Sequence, residues 1–350
     1  MAGTSSPLRE PLHVGVVGVG RIGAFHARTL AGLEGVRTLT LCDADTDRAR
    51  ALAAELGASV VATPEALIDA GVDALAIATP TPTHAPMLRL AAQAGLPAFC
   101  EKPVGLDLET LADVADEVER AGILVQIGFQ RRFDAGYRAA AAAVASGALG
   151  NLLVVRLATH DPAPPTEAYI ASSGGIFRDL HIHDFDAVRF VTGQEVVDVY
   201  ADGAVQESAW FAEHGDVDVA VAVLRLSGGT LAILSGTRHD PLGYDVRLEA
   251  FGTRDSVAVG LDARTPIRSL EPGAAASAEP GYRDFMDRFE PAYRTELVTF
   301  VATVRSAGAS ACTIAEAQAA MQVALAADRS RADRRPIALE ETARTSAAAG

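Results

Sequence analysis

Positive charge is scarce in this chain. Its 350 residues carry 30 Lys and Arg against 45 Asp and Glu, a formal net charge of −15. That balance disfavours nonspecific binding to nucleic acid or to an anionic membrane surface, both of which need clustered Lys and Arg. Cysteine is scarcer still: Cys42, Cys100 and Cys312 lie far apart. Cys42 and Cys100 each end an apolar run, so they read as small core residues in a reducing compartment, not as a disulfide framework or a zinc site. No segment approaches the roughly 20 apolar residues of a membrane span. The opening MAGTSSPLREP has neither an apolar core nor a twin-arginine signal. These absences lead to the expectation of a cytoplasmic protein. Apolar residues are abundant, at 49% of the chain, and the length suits about two domains.

The most telling stretch is Gly18-x-Gly20-x-x-Gly23, which follows the apolar run Val14–Val17 and opens a segment able to be helical, Arg21 to Leu30. In such a strand–turn–helix the first glycine permits the turn and the second lets main chain approach a pyrophosphate. The third lets helix pack close to strand, and the helix N-terminus offers its free N–H groups to the phosphates. A second apolar run, Thr38–Cys42, ends in Asp43, about 20 residues beyond the last glycine, where a carboxylate can accept from ribose hydroxyls. The combination points to a dinucleotide, and Asp43 to NAD over NADP, whose 2′-phosphate would meet a negative charge. A glycine turn in an ordinary α/β protein, with Asp43 as a helix cap, is the minority reading.

Strands are expected at 13–17, 38–42, 58–61, 73–78, 97–100 and 123–127, with helices at 21–33, 45–56, 64–70, 84–94 and 107–121 between them. This βαβ rhythm predicts a doubly wound, mostly parallel sheet with its ligand crevice at the carboxyl ends of the strands. After residue 127 the rhythm changes. A helix at 134–146, a strand at 152–159 and a helix from Gly174 or Gly175 to about Thr192 precede strands at 196–206, 217–226, 230–236, 244–251 and 256–260. Short turns between consecutive strands suggest a large, mostly antiparallel sheet. Residues 262–281 read as a loop, and 293–306 and 314–331 as helices. Residues 1–11 read as a disordered lead and 342–350 as a frayed end. The expected architecture is α/β: a Rossmann domain over 1–127, then an α+β domain over 128–350 with an open sheet, whose C-terminal helices can pack back on the first.

Two clusters carry chemistry. Glu101-Lys102-Pro103 stands at a strand end, where a lysine can hydrogen-bond a substrate oxygen and stabilise charge on it; a surface Glu-Lys before a turn proline is the plain alternative. In Asp179-Leu-His181-Ile-His183-Asp184, a helix would set Asp179 and His183 at i and i+4 on one face, with His181 turned away. Two histidines so placed do not make a metal chelate, and no metal is expected. A carboxylate beside an imidazole can orient it and stabilise its charged form, and the imidazole can take a proton from an alcohol as hydride leaves the carbon. A capped or ion-paired structural histidine is the alternative. Gly128-Phe-Gln-Arg-Arg-Phe133 follows the last Rossmann strand, and its arginines suit either a ligand cleft or pairing to acids.

Taken together, these residues resemble the glucose–fructose oxidoreductase/inositol dehydrogenase (Gfo/Idh/MocA) family over nearly the whole chain. The resemblance rests on GVGRIGAFHA at 18–27, EKP at 101–103, GFQRRFD at 128–134 and GGIFRDLHIHDFD at 174–186. GYDVRLEAFGT at 243–253 and DRFEPAYRTEL at 287–297 are similar to the inositol dehydrogenases within the family. The resemblance implies a catalytic trio of Lys102, Asp179 and His183, with His183 as acid/base, Asp179 its partner and Lys102 polarising the substrate oxygen. It implies NAD held by Gly18, Gly20, Arg21, Ile22, Gly23 and Asp43, with Thr79, His84 and Glu101 flanking it. It also implies dimers or tetramers built on the open sheet face.

Gln130, Asp161 and Tyr244 are the candidate substrate contacts, suited to a neutral polyhydroxylated ring; Asp161 alternatively caps the loop before Pro162. The implied reaction is NAD-dependent oxidation of a secondary alcohol of a cyclic polyol or sugar, with myo-inositol first among the candidates. Other sugars or inositol isomers, an NAD-dependent glycosidase and a noncatalytic sensor are the rivals.

Overall fold

The computed structural model describes residues 10–274 and 279–342. All but Thr342 of the expected frayed end at 342–350, most of the expected disordered lead and part of the 262–281 loop lie outside the described residues; Thr342 itself is helical. The chain divides into two units, one running to Gln130 and taking in Tyr293–Gln318, the other comprising Arg131–Ala292 and the chain from Ala319 onward.

The first unit alternates β1 (Leu12–Val17), α1 (Arg21–Ala31), β2 (Val36–Cys42), α2 (Thr46–Leu56), β3 (Ser59–Val61) and α3 (Pro64–Asp69). It continues with β4 (Ala74–Ile77), α4 (His84–Ala94), β5 (Ala98–Glu101), α5 (Leu108–Ala121) and β6 (Val125–Gly128). The strands form one parallel sheet in the order β3-β2-β1-β4-β5-β6. The inner strands are apolar along almost their whole length because both faces of a parallel sheet are covered. Strand order reverses between β1 and β4, so the carboxyl ends of these two strands flank the crevice where such sheets take ligands. Helices α2, α3 and α5 are N-capped by Asp45, Thr63 and Asp107, each accepting from a main-chain N–H three residues on.

The second unit opens with a short 3₁₀ turn and α6 (Ala135–Ala145), β7 (Leu152–His160), α7 (Glu167–Ser173), α8 (Ile176–Asp179) and α9 (Ile182–Thr192). There follow β8 (Val196–Ala204), α10 (Trp210–Glu213), β9 (Val219–Leu226), β10 (Leu231–Thr237), β11 (Asp245–Gly252) and β12 (Ser256–Val259). Helices α11 (Phe285–Ser306) and α12 (Ile314–Asp333) each contain a division between units, and β13 (Ile337–Ala338) is followed by a helical turn over 339–342. The sheet order is β12-β11-β7-β10-β9-β8-β13, antiparallel except for the β7–β10 pair. Strands β9 and β10 alternate buried and exposed residues, so one face of this sheet is core and the other is open.

Two helices differ from expectation. The helix read as one from 174 to 192 is broken into α8 and α9 at Leu180–His181. There the His181 N–H reaches back five residues to the Ile176 carbonyl, a widened turn that inserts an extra residue. The helix expected from Tyr293 starts eight residues earlier and runs through Pro291, tolerating the loss of that N–H donor. Its later half supplies Leu297, Phe300, Val301 and Val304 to the core of the first unit, beside Val14, Val16 and Leu41. Burial of a side chain such as Phe300 contributes about 1.5–3 kcal/mol.

Candidate active site

The glycine turn of the first unit is built for close approach. Gly18 has φ +84°, and a Cβ there would stand 2.7 Å from the Ala78 carbonyl oxygen, in the loop after β4. At Gly23 an added Cβ would collide with the Gly18 carbonyl oxygen. A Cβ on Gly20 would meet nothing within 4 Å. Gly20 is also the N-cap of α1 and carries no side-chain cap, unlike Asp45, Thr63 and Asp107 on α2, α3 and α5. Arg21, Ile22 and Gly23 form the first turn of α1. Open space over an uncapped helix N-terminus fits the pyrophosphate of a dinucleotide.

Asp43, at the end of β2, is buried. Its Oδ2 accepts from the Val19 N–H at 2.6 Å, and its Oδ1 from the Asp45 N–H at 2.8 Å and Arg48 Nη2 at 2.7 Å. Burial would raise this carboxyl, but the bonds from Arg48 and the two main-chain donors outweigh it and hold the pKa below the usual carboxylate range. A carboxylate has about four acceptor positions, so capacity for a ribose hydroxyl remains.

The ends of β4 and β5 are tied together by His84, whose Nδ1 lies 2.7 Å from the Pro103 carbonyl oxygen and whose Nε2 lies 2.7 Å from that of Thr79. Burial pushes the His84 pKa down against the pull of those two carbonyls. The Lys102–Pro103 peptide is cis. Glu101 spends one oxygen on His26 Nε2 at 2.7 Å and the other on the Lys102 N–H at 3.2 Å. Behind it, Glu296 is fully buried with neither carboxyl oxygen hydrogen-bonded. Burial, then the charge of Glu101, pushes its pKa well up. Gln130 closes the unit, 1% exposed.

The second unit uses buried charge. Arg131 Nη1 meets Asp184 Oδ1 at 2.5 Å, and both side chains are buried. The Thr159 hydroxyl donates to the same Oδ1 at 2.8 Å, and His181 Nδ1 lies 2.7 Å from Oδ2. Burial alone would raise the Asp184 carboxyl; Arg131 and His181 reverse this and hold it at about 2. Gly236 leaves room for the His181 ring, since a Cβ there would come within 2.6 Å of two ring atoms. Arg132 grips Asp186 with two nitrogens, Nε and Nη2. The arginines of the GFQRRFD segment are therefore paired to acids of α9.

Asp179 ends α8. Its Oδ1 accepts from the Tyr169 hydroxyl at 2.8 Å and its Oδ2 from Arg238 Nη2 at 2.9 Å. Arg238 Nη1 reaches Asp161 Oδ2 at 3.1 Å. Burial alone would lower the Arg238 pKa, but Asp179 and Asp161 raise it, so the guanidinium stays charged. Tyr244 is buried just before β11, whose Asp245 pairs with His160 of β7, so Tyr244 and Asp161 stand at the same end of neighbouring strands. Burial raises its phenol, and the charge of Asp161 adds to this. His183 sits in the first turn of α9, four residues beyond Asp179.

Each unit thus gathers its own predicted residues: the glycine turn, Asp43, Thr79, His84 and Glu101-Lys102 in one; Asp161, Asp179, His183 and Tyr244 in the other. Sequence reasoning missed Arg48, Tyr169 and Arg238. Arg238 had a signal, since it follows the strand run 230–236 as Asp161 follows 152–159. A stronger signal was also available. Lys102 is the only lysine in the sequence, and the other 29 cations of the Lys and Arg total are arginines. A chain that elsewhere uses arginine throughout keeps a compact ammonium with rotatable donors at this one strand end.

A doubly wound sheet with an open glycine turn and an acid on the next strand defines a nucleotide-dependent oxidoreductase class, and family models agree. Residues 12–129 match the oxidoreductase family with an NAD-binding Rossmann fold, and 137–258 match the GFO/IDH/MocA C-terminal domain. The chain belongs to the Gfo/Idh/MocA oxidoreductase family, and its cofactor is NAD. It is 39% identical to the myo-inositol dehydrogenase Hyg17 of Streptomyces leeuwenhoekii, over 91% of this chain and 96% of that one. A myo-inositol dehydrogenase structure from Corynebacterium glutamicum superposes with a TM-score of 0.87 at 35% identity, covering 94% of this chain and 98% of that one. A scyllo-inositol dehydrogenase from Lactobacillus casei, with NAD(H) and scyllo-inositol bound, gives 0.85 at 27% identity, covering 95% of this chain and all of that one. Among the described residues no helix is long and apolar enough to cross a membrane.

Proposed function

We propose that this protein is a cytoplasmic inositol 2-dehydrogenase that oxidises myo-inositol to the 2-keto compound, reading NAD as the electron acceptor. The observation that carries the reading is the lone lysine, Lys102, at the β5 strand end of an NAD-binding sheet. Bound NAD supplies the two-electron acceptor for the carbinol carbon. Gly18, Gly20, Arg21, Ile22 and Gly23 cradle the pyrophosphate, Asp43 holds the ribose, and Thr79, His84 and Glu101 shape the nicotinamide end. Lys102 donates to the substrate oxygen and stabilises the charge that develops there. His183 accepts the hydroxyl proton, and Asp179 stabilises the imidazolium so formed. Gln130, Asp161 and Tyr244 take the remaining hydroxyls. A second substrate, scyllo-inositol, is favoured by the Lactobacillus casei neighbour, which holds that ring.

The open face of the second sheet supports a homo-oligomer. It exposes Tyr200, Val221, Val223, Leu231 and Ile233, with Val223 between Tyr200 and Ile233 across neighbouring strands and Arg156 and Arg225 among them, an apolar patch with a charged admixture of the kind that can join copies of a chain.

The test is NADH formation across a panel of neutral polyols and sugars, with the wild type and Lys102→Arg. Turnover of myo-inositol is expected. The arginine variant should keep NAD affinity and lose about 10²–10³-fold in kcat, the scale of one charge-stabilising donor. Because Lys102 is the only side-chain amine, an amine-selective reagent should inactivate the enzyme, and NAD plus myo-inositol should protect it. Silence across the panel with NAD binding intact would sink the reading.

A further inference from the structure

Asp161 and Asp179 come from different elements, the loop after β7 and the end of α8, yet one side chain meets both. Arg238 follows β10, the strand that lies parallel to β7 with Thr237 opposite His160, so residues 161 and 238 leave the sheet side by side. Its fork gives Nη1 to Asp161 at 3.1 Å and Nη2 to Asp179 at 2.9 Å, and its side chain is 2% exposed. The second oxygen of Asp179 takes the Tyr169 hydroxyl at 2.8 Å. Both oxygens of Asp179 are thus engaged by donors on other elements. A buried planar fork bonded to two carboxylates fixes their orientation in a way that a flexible ammonium cannot.

We propose that Arg238 is a positioning residue of the dehydrogenase reaction: its guanidinium locks Asp179 in the orientation that serves His183 and holds Asp161 as a hydroxyl acceptor beside it. The inference rests on the reading of Asp179 and His183 given above. It also accounts for an acidic side chain where a neutral ring would bind, since half of one cation is spent on Asp161 and half on Asp179. Within this unit the charged and titratable groups around the pair include His183 on α9, Tyr169 on α7, Asp161 after β7, Arg238 after β10 and Tyr244 before β11. Remove Arg238, and the two carboxylates lose the cation they share. That loss favours protonation of a carboxylate, and a protonated Asp179 no longer stabilises the imidazolium.

The experiment measures kcat and KM for myo-inositol at saturating NAD, from about pH 6 to 10, for wild type, Arg238→Gln, Arg238→Lys, Asp161→Asn and Asp179→Asn. NAD affinity and thermal midpoint are followed in each. Arg238→Gln is expected to lose about 10²-fold in kcat, the scale of a misplaced catalytic group. Its acidic pH limb should move upward while NAD affinity holds. Arg238→Lys keeps the charge without the fork and should recover only part of the rate. Asp161→Asn should raise KM more than it lowers kcat. If the glutamine variant does not fold, the lysine variant carries the test, and a lysine variant matching wild type overturns the proposal. So does a folded Arg238→Gln with the wild-type limb and kcat. If Asp179→Asn is dead while Arg238→Gln is normal, the positioning role alone fails. If Asp179→Asn turns over like wild type, the catalytic reading beneath it fails as well.

Discussion

In the first unit the groups offered to a ligand are mostly main chain, whereas in the second they are charged side chains sunk into a core. The glycine turn works because side chains are missing from it: a Cβ at Gly18 would press on Ala78, and Gly20 leaves the N-terminus of α1 open. Arg131, Asp184, His181 and Thr159, and likewise Arg238, Asp161 and Asp179, work because every member has a partner. The main-chain site is sensitive to added bulk and the charged one to any loss. Stability and site geometry are therefore more tightly coupled in the second unit than in the first.

The sharpest way to break that contrast is at Asp184. Asp184→Ala leaves the Arg131 guanidinium buried without its carboxylate, and denaturant unfolding should report a loss of about 3–5 kcal/mol. The milder Asp184→Asn tests the charge itself. The carboxyl is held at about 2 in the folded chain against an unpaired value of 3.8. The unfolded chain therefore binds the proton first as pH falls, so the stabilisation is complete above about pH 4 and is lost toward about pH 2. Urea midpoints should fall over that window in wild type, and this part of the slope should vanish in Asp184→Asn.

A smaller effect is expected at Gly18. Gly18→Ala places a Cβ at φ +84° against the Ala78 carbonyl, for a cost of about 1–3 kcal/mol. Titration should show NAD affinity falling with it, while the second unit's pH behaviour stays as in wild type. The smallest effect on folding belongs to the open sheet face, where Ile233 is 43% exposed. Ile233→Glu should change the unfolding free energy of the protomer by no more than about 0.5 kcal/mol. It should nevertheless shift sedimentation toward monomer if the face joins copies of the chain; an unchanged sedimentation coefficient would remove that face from the assembly.

How much could be read beforehand follows the same division. The β1–β6 alternation, the glycine turn and Asp43 were legible because apolar runs and glycine spacing are local. Asp43 nonetheless proved to be bonded to Val19 and Arg48, partners that only the folded loop brings near. In the second unit the helix period set 179 and 183 on one face of a single regular helix and gave no sign of the break at Leu180–His181 between them, since a widened turn leaves no mark in a regular pattern. Arg131 and Arg132 had two open readings, and the acids of α9, more than fifty residues on, decided between them.

The sequence by itself determined the parallel sheet and the dinucleotide turn, because each depends on neighbours along the chain. Only the tertiary structure decided which carboxylate faces which cation. Arg238 meets Asp161 across 77 residues and Asp179 across 59, by way of a parallel strand pair. Such pairing is set by sheet order and burial, which spacing along a chain does not encode.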